Sequence, residues 1–336
     1  MRNRAASGPK EPEMKAWFAR DYGGPEVLRL EEVGKPVPQP GEILVKVHAT
    51  TVNSGDRRIR ACDFPPGMKT LGRLALGWNR PRQPILGTEL AGKVETVGQG
   101  VTRFSPGEAV YAFPGGRMGT HAEYVLLKET GPVAHLPEGV DMLTGAALCF
   151  GGTTALTYLR RGDVREGQSM LVLGGAGAVG SAMVQLGKLA GVHVTATTSA
   201  GNLDLVRTHG ADTVIDYHST DVSRHNARFD VIADTVEAMD FARAQKLLKP
   251  GGRYLAIAGT LKEMLGSLRK GPEGKRMIAG PADERLEDIV ELGRLAALGQ
   301  YRPHIDKVYA FTNMPAAHAH ADTGRKRGSV VVQVAE

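Results

Sequence analysis

Between Met170 and Gly180 the chain reads Met-Leu-Val-Leu-Gly-Gly-Ala-Gly-Ala-Val-Gly, four apolar residues running straight into a cluster of glycines. Val179, Met183, Leu186 and Leu189 then recur at the spacing of one helix face. A buried strand, a glycine turn and a helix in direct succession commit this region to a βα unit. The spacing Gly175-x-Gly177-x-x-Gly180 is also what a dinucleotide-binding turn requires. The first glycine makes the bend, the second lets a pyrophosphate approach the backbone, and the third lets helix and strand pack closely. Free amides at the helix start, at the positive end of its dipole, then face the phosphates. An ordinary glycine-rich turn is the competing reading, and the strand before and helix after favour dinucleotide binding.

The residues around this unit repeat its logic. Leu143–Leu159 reads as a helix; the strand at Leu171 and a helix to Ala190 are followed by the strand His193–Thr198 and a helix Asn202–His209. The strands Thr213–Tyr217 and Asp230–Asp234, a helix Phe241–Leu248 and the strand Arg253–Ala258 complete the alternation, with Lys249-Pro250-Gly251-Gly252 as a helix stop. Strands alternating with helices imply a doubly wound parallel sheet of the Rossmann type. Lys262–Lys275 shows no period and reads as loop, and Glu284–Leu298 as helix.

Ahead of this region the pattern is different. Glu42–Val47, Gly92–Val97, Ala109–Ala112 and His121–Leu127 alternate in the manner of half-buried strands, separated by Pro/Gly turns. Asp63–Pro84 carries Met68, Leu71, Leu74, Leu76 and Trp78 without alternation, as either an apolar lid or a packed loop. The strand Ser329–Val334 has no partner in the Rossmann sheet, so the chain is expected to return to its first domain. The expected organisation is a polar disordered tail at 1–13, a β-rich domain formed by 14–135 and 300–336, and a nucleotide-binding domain at 136–299.

A length of 336 residues suits two such domains. No apolar run approaches the eighteen or so residues of a membrane span, and residues 1–13 lack the apolar core of a signal peptide. The net charge of +6 favours anionic ligands. The bases are scattered apart from clusters such as Arg57-Arg58-Ile59-Arg60 and Arg325-Lys326-Arg327, which read as solvated surface, and no nucleic-acid-binding motif accompanies them. Cys62 and Cys149 are too few and too far apart for a disulfide framework, which suits a reducing cytoplasm.

The second strand of the sheet bears on which dinucleotide. It ends Thr195-Ala196-Thr197-Thr198-Ser199-Ala200-Gly201-Asn202, without the acid that would bind an NAD ribose 2′-hydroxyl. Hydroxyls and an amide there can donate to a 2′-phosphate, so NADPH is the expected cofactor. Arg207 either adds charge or is an exposed helix residue.

With these features together, the chain resembles the medium-chain dehydrogenase/reductase superfamily, and within it the zinc-free quinone oxidoreductase branch that includes zeta-crystallin. The resemblance rests on Tyr22-Gly23-Gly24-Pro25-Glu26-Val27-Leu28, Val52-Asn53-Ser54-Gly55-Asp56, Pro84-Ile85-Leu86-Gly87-Thr88-Glu89-Leu90-Ala91-Gly92, Leu248-Lys249-Pro250-Gly251-Gly252 and Gly324–Val331. It implies a GroES-like catalytic domain, a Rossmann domain, a cleft between them, a homodimer, and NADPH-dependent reduction of quinones or α,β-unsaturated carbonyls. Residue by residue, it implies that Gly174, Gly175, Ala176, Gly177, Ala178, Val179 and Gly180 hold the pyrophosphate. By the same match Ser199 and Tyr217, with Thr198 and Asn202 beside them, meet the adenosine 2′-phosphate; Thr235, Ile257 and Ala258 follow the cofactor's far side; and Asn53 and Thr154 line the nicotinamide. Two positions depart from the family pattern: Gly201 and Asn202 replace a common Lys or Arg, and Glu237 stands where a glycine usually follows Asp234-Thr235-Val236.

Zinc enzymes of the superfamily place a Cys near Asn53 and a His-Glu pair at Thr88-Glu89, and structural zinc needs four clustered cysteines, so no metal is expected here. Cys149, close to a family ligand position, reads as a small core residue, His121 as structural, and His318 and His320 lie on different sides of any helix. A quinone or enone can accept hydride without a Lewis acid, because it spreads the charge onto oxygen. Asn53 is the candidate hydrogen-bond donor or holder of the nicotinamide carboxamide, Thr154 the nicotinamide-orienting residue, and Arg57 an attractor of anionic or polar acceptors, against surface solvation for Arg57 and Arg60. The alternatives are an enoyl-thioester or alkenal reductase, or a non-catalytic NADPH-binding protein with an RNA-binding or structural role.

Overall fold

The computed structural model describes residues 12–64, 69–222, 227–259, 261–267 and 271–335. Of the expected tail, residues 1–11 lie outside the described residues, and Glu13 already pairs with Gly34 in the first hairpin. Met68 also lies outside them.

The chain begins with β1 (Glu13–Ala19), β2 (Leu28–Gly34), β3 (Glu42–Val52), α1 (Ser54–Ala61), α2 (Lys69–Leu76), β4 (Leu90–Val97), β5 (Ala109–Ala112), β6 (Tyr124–Lys128) and β7 (Val133–His135). There follow α3 (Met142–Ala147), α4 (Cys149–Arg161), β8 (Ser169–Leu173), α5 (Ala178–Leu189), β9 (His193–Thr198), α6 (Leu203–Thr208), β10 (Thr213–Asp216), β11 (Phe229–Asp234), α7 (Phe241–Leu247) and β12 (Leu248–Ala256). The remainder comprises α8 (Leu261–Gly266), β13 (Arg276–Ala279), α9 (Leu286–Ala297), β14 (Ile305–Ala310), α10 (Met314–Asp322) and β15 (Ser329–Gln333).

Strands β8 to β13 form an all-parallel sheet in the order β10-β9-β8-β11-β12-β13. The chain runs outward from β8 in one direction and from β11 in the other, so the topological switch falls between β8 and β11. In open sheets of this kind ligands sit at that point, beyond the carboxyl ends of the strands. Met170, Leu171, Val172, Val231, Ile232 and Ala233 are fully buried, as a sheet covered on both faces demands. The other large sheet has the order β14-β15-β3-β4-β5-β7, with β6 paired to β3. Strand β15 lies antiparallel to β3, with Val330 opposite Val52, so the C-terminal segment does return to the first sheet.

Four expectations need correction. The helix read over Leu143–Leu159 is two helices broken at Leu148, because the amides of Cys149 and Phe150 point at the Glu89 carboxylate instead of extending α3. Helix α3 also packs on the first sheet, with Gly145 against Ala91 and Leu136. Strand β12 starts at Leu248 rather than Arg253, and a register shift opposite β11 absorbs the Pro-Gly-Gly. The stretch read as loop at Lys262–Lys275 contains most of α8 and the single turn Pro272–Gly274. The apolar segment Asp63–Pro84 includes α2, with Leu74 and Trp78 exposed and Leu76 packed toward Trp17 and Leu86.

Candidate functional site

The glycine turn joins β8 to α5 at the switch point, and its glycines divide the labour differently from the sequence expectation. The bend falls on Gly174, at φ 85°, not on Gly175. A Cβ at Gly174 would meet Val236 Cγ1 at 2.5 Å, so the turn and the loop after β11 are in contact. Gly175 instead packs flat, where a Cβ would come within 3.1 Å of Ala196 and Val206. At Gly180 a Cβ would stand 2.0 Å from the Gly174 carbonyl oxygen, so helix and turn meet there without room for a side chain. Gly177 is different: nothing but the Gly174 oxygen, at 3.7 Å, comes within 4 Å of its would-be Cβ. Helix α5 has no side-chain cap at Gly177, whose backbone bridges to Gly328 alongside it, and the remaining first-turn amides are left for a ligand.

Opposite the turn, Asp234 organises the loop that follows β11. Its carboxylate accepts from the amides of Val236, Ala238 and Met239 and from the Tyr254 hydroxyl, at 3.0–3.1 Å. Glu237, the residue in place of a glycine, adopts φ 57°, so the loop keeps a glycine-like course. Its carboxylate reaches across to Arg58 of α1, at 2.9 Å. Thr235 donates to the Leu173 carbonyl, which stitches the loop to the end of β8. Ile257 and Ala258 are half-buried just beyond β12.

At the end of β9, Thr198 is buried, while Ser199 and Asn202 are partly open and bonded to one another at 3.1 Å. Tyr217 is exposed nearby, its amide bonded to the Thr198 carbonyl. Arg207 is paired with Asp204.

The first sheet supplies the other wall. Asn53 precedes α1 and caps it, its Oδ1 accepting from the Gly55 and Asp56 amides while Asp56 accepts from the Asn53 amide. The Asn53 Nδ2 donates to Thr88 Oγ1 at 2.6 Å. Glu89, next in the chain, accepts from the Thr51 hydroxyl and from the Phe150 amide at the start of α4. One turn on, Thr154 donates to the Phe150 carbonyl. Gly151 lies against the first residue of α5, its would-be Cβ 2.6 Å from the Ala178 oxygen. The sequence-selected Asn53 and Thr154 therefore converge, through Phe150, on the start of α5.

Burial pushes the carboxyls of Asp56 and Glu89 up to about 7. The Lys326 ammonium is enclosed nearby and drops to about 8 for the same reason. It donates to the Gly328 carbonyl, and the Gly328 amide bonds Ala176 in the glycine turn at 2.8 Å. Lys326 is thus not the solvated surface charge that its Arg-Lys-Arg setting suggested. Nor is Arg60, which is fully buried with two bonds to Asp322. Arg57 is paired with Asp63 and Asp322 and offers no free charge to an acceptor. The signal for Lys326 was its position between Gly324 and Gly328, both at positive φ, which fold the basic run back onto the turn.

Cys149 is fully buried, and burial near Glu89 raises its thiol well above the ordinary range. His121 is buried with Nε2 on the Thr51 carbonyl, His318 is buried against it, and His320 faces Asp306. Among the described residues no three His, Cys, Asp or Glu side chains gather as a metal site, and no helix is long and apolar enough to cross a membrane.

A parallel sheet with a glycine turn at its switch point, faced by a polar wall from a second sheet, is the layout of a two-domain oxidoreductase. Residues 39–138 match the alcohol dehydrogenase GroES-like domain, and residues 209–332 match the zinc-binding dehydrogenase domain. The chain is 31% identical to the NADPH-dependent alkenal/one oxidoreductase, chloroplastic, of Arabidopsis thaliana, across 97% of this chain and 81% of that one. It is 32% identical to 2-methylene-furan-3-one reductase of Solanum lycopersicum, across 95% and 79%. The solved quinone oxidoreductase from Coxiella burnetii superposes with a TM-score of 0.85 at 26% identity, over 96% of this chain and all of that one. The chain belongs to the medium-chain dehydrogenase/reductase superfamily.

Proposed function

We propose that this protein transfers hydride from NADPH to an α,β-unsaturated carbonyl or a quinone, without zinc. The reading is carried by one juxtaposition: the start of α5, with its open Gly177, lies against Gly151 of α4, and the preceding residue Phe150 meets both Gly55 in the helix that Asn53 caps and the carboxylate of Glu89, next to Thr88. The room at Gly177 and the free first-turn amides suit a pyrophosphate. Bound there, NADPH supplies the hydride at nicotinamide C4.

In this reading Gly174–Gly180 hold the pyrophosphate, with the Lys326 ammonium behind them. Ser199 and Asn202, with Thr198 and Tyr217, form the 2′-phosphate end. Thr235, Ile257 and Ala258 border the cofactor at the ends of β11 and β12, and Thr154 orients the nicotinamide. The part made by the first sheet and the C-terminal strands, roughly 14–135 and 300–336, supplies the acceptor wall, and 136–299 the cofactor wall.

The donors at the position of a catalytic metal fit zinc poorly. The Asn53 oxygen is committed to a helix cap, the Thr88 hydroxyl is a weak ligand, and the Cys149 thiol is held protonated by burial. An enone or quinone fits such a site because its own conjugation carries the incoming charge. The relatives' names point to enones and quinones, and an alkenal or enoyl-thioester acceptor is the variant of the same chemistry. On the family resemblance we place the protein in the cytoplasm as a homodimer, which light scattering checks.

The test is oxidation of NADPH and NADH against quinones, enones and simple alcohols, with and without chelator. Chelator-resistant loss of NADPH with enones or quinones is expected. Preference for NADH would overturn the assignment at Ser199 and Asn202, and turnover confined to alcohols would overturn the reaction.

A further inference from the structure

The bonds around Asn53 leave one proton in the site without a partner. Because Asn53 Oδ1 accepts from two amides of α1, the orientation of its amide is fixed and Nδ2 must face Thr88. The Thr88 oxygen therefore accepts, and its own proton points away from Asn53. Among the described residues no protein group accepts that proton. The Thr88 side chain sits in a residue only 7% exposed, its backbone oxygen held by the Gly115 amide. Adjacent Glu89 is tied to Phe150, and the Phe150 ring lies 3.7 Å from a would-be Cβ on Gly55. The hydroxyl thus stands beside the Asn53 helix cap, next in the chain to Glu89, whose bond to Phe150 ties this wall to α4. A buried donor without an acceptor costs about 1–3 kcal/mol unless a ligand completes it.

We infer that the Thr88 hydroxyl is the hydrogen-bond donor to the carbonyl oxygen of the acceptor, and that Asn53 is a positioning residue acting through it. This rests on the proposed reduction. In that step the acceptor's β-carbon gains a C–H bond from the hydride and its electron pair while the C–H bond at nicotinamide C4 breaks. The C=C pair shifts toward the carbonyl, whose oxygen takes the negative charge as an enolate. Thr88 keeps its proton and stabilises that oxygen as charge develops, the role of an oxyanion donor. Protonation of the α-carbon by solvent completes the saturated ketone. The sequence-based choice of Asn53 as the donor falls one residue short along this relay, since its oxygen is spent on the helix and its amide on Thr88.

The experiment uses infrared difference spectroscopy of cyclohex-2-enone bound with NADP+, in which no turnover occurs, alongside steady-state kinetics with NADPH. In the wild type the carbonyl stretch shifts to lower frequency than in water-free solution. Thr88→Val abolishes the shift and lowers kcat for the enone by about 10²–10³-fold, the usual loss of one oxyanion donor, with the dissociation constant for NADPH unchanged. Thr88→Ser retains both the shift and most of the rate. Asn53→Asp keeps the helix cap, since Asp and Asn cap equally well, but offers Thr88 a carboxylate acceptor. It therefore folds normally and loses the shift as Thr88→Val does. A shift that survives Thr88→Val, or an Asn53→Asp protein with the wild-type spectrum and rate, overturns the inference and leaves the reductase reading standing. A wild-type protein that neither shifts the enone carbonyl nor oxidises NADPH with it overturns both.

Discussion

Two glycines three residues apart should fail in different ways when given a methyl group. At Gly180 the added Cβ would stand 2.0 Å from the Gly174 oxygen and 3.0 Å from Gly175 Cα, both backbone atoms, where ordinary contact begins at 3.4 Å. The turn and α5 must then open by more than an ångström at the point where β8 enters the core. Overpacking against atoms that cannot rotate away costs about 3 kcal/mol, the upper end for such changes. For a chain of this size, unfolding as one unit, that lowers the melting temperature by roughly 4 °C. At Gly177 the nearest atom is 3.7 Å away and φ is −74°, so Gly177→Ala leaves stability within about 1 kcal/mol. The methyl there occupies the space assigned to the pyrophosphate and should weaken NADPH binding at least tenfold, about 1.4 kcal/mol. Thermal denaturation and a nicotinamide fluorescence titration on both variants measure the contrast. Wild-type NADPH affinity in Gly177→Ala would refute the placement of the pyrophosphate, and a wild-type melting temperature in Gly180→Ala would refute the packing argument.

Other perturbations follow from single residues. Asp234→Ala strands three loop amides, while the Tyr254 hydroxyl keeps the Met239 carbonyl as its acceptor; a loss of about 3 kcal/mol in denaturant unfolding is expected. Asp322→Asn leaves the buried Arg60 guanidinium without its carboxylate, with a cost of about 3–5 kcal/mol in the same assay. His121 is held near a pKa of about 4 by burial, so the unfolded chain binds the proton first as pH falls below 6.5. Its share of stability is complete at neutral pH and shrinks from pH 6.5 toward 4; between pH 7 and 5 the wild type should lose about 2 kcal/mol more than His121→Gln. Parallel pH profiles of the two proteins would contradict this.

Much of the fold was legible because its signals are local. Four apolar residues before Gly174 leave little choice but a buried strand, and β9 runs from His193 to Thr198 as its alternation predicts. The return of Ser329–Gln333 to the first sheet followed from its lack of a partner in the Rossmann sheet. Asn53 and Thr154 could be selected by resemblance, but their relation could not, because it passes through Phe150 and Glu89 from separate elements. Arg60 and Lys326 were misjudged for one reason: charge in sequence says nothing about enclosure, and segments far along the chain bury Arg60 and enclose the Lys326 ammonium.

The sequence by itself determined a strand, a glycine turn and a helix, and with them the parallel sheet and the superfamily, since backbone sterics and hydrophobic periodicity act over neighbouring residues. Only the tertiary structure decided which glycine bends and which stays open. It also decided that Asn53 spends its oxygen on α1 and its amide on Thr88, because the direction of that amide is fixed by a partner 35 residues away that arrives only when β3 and β4 pair.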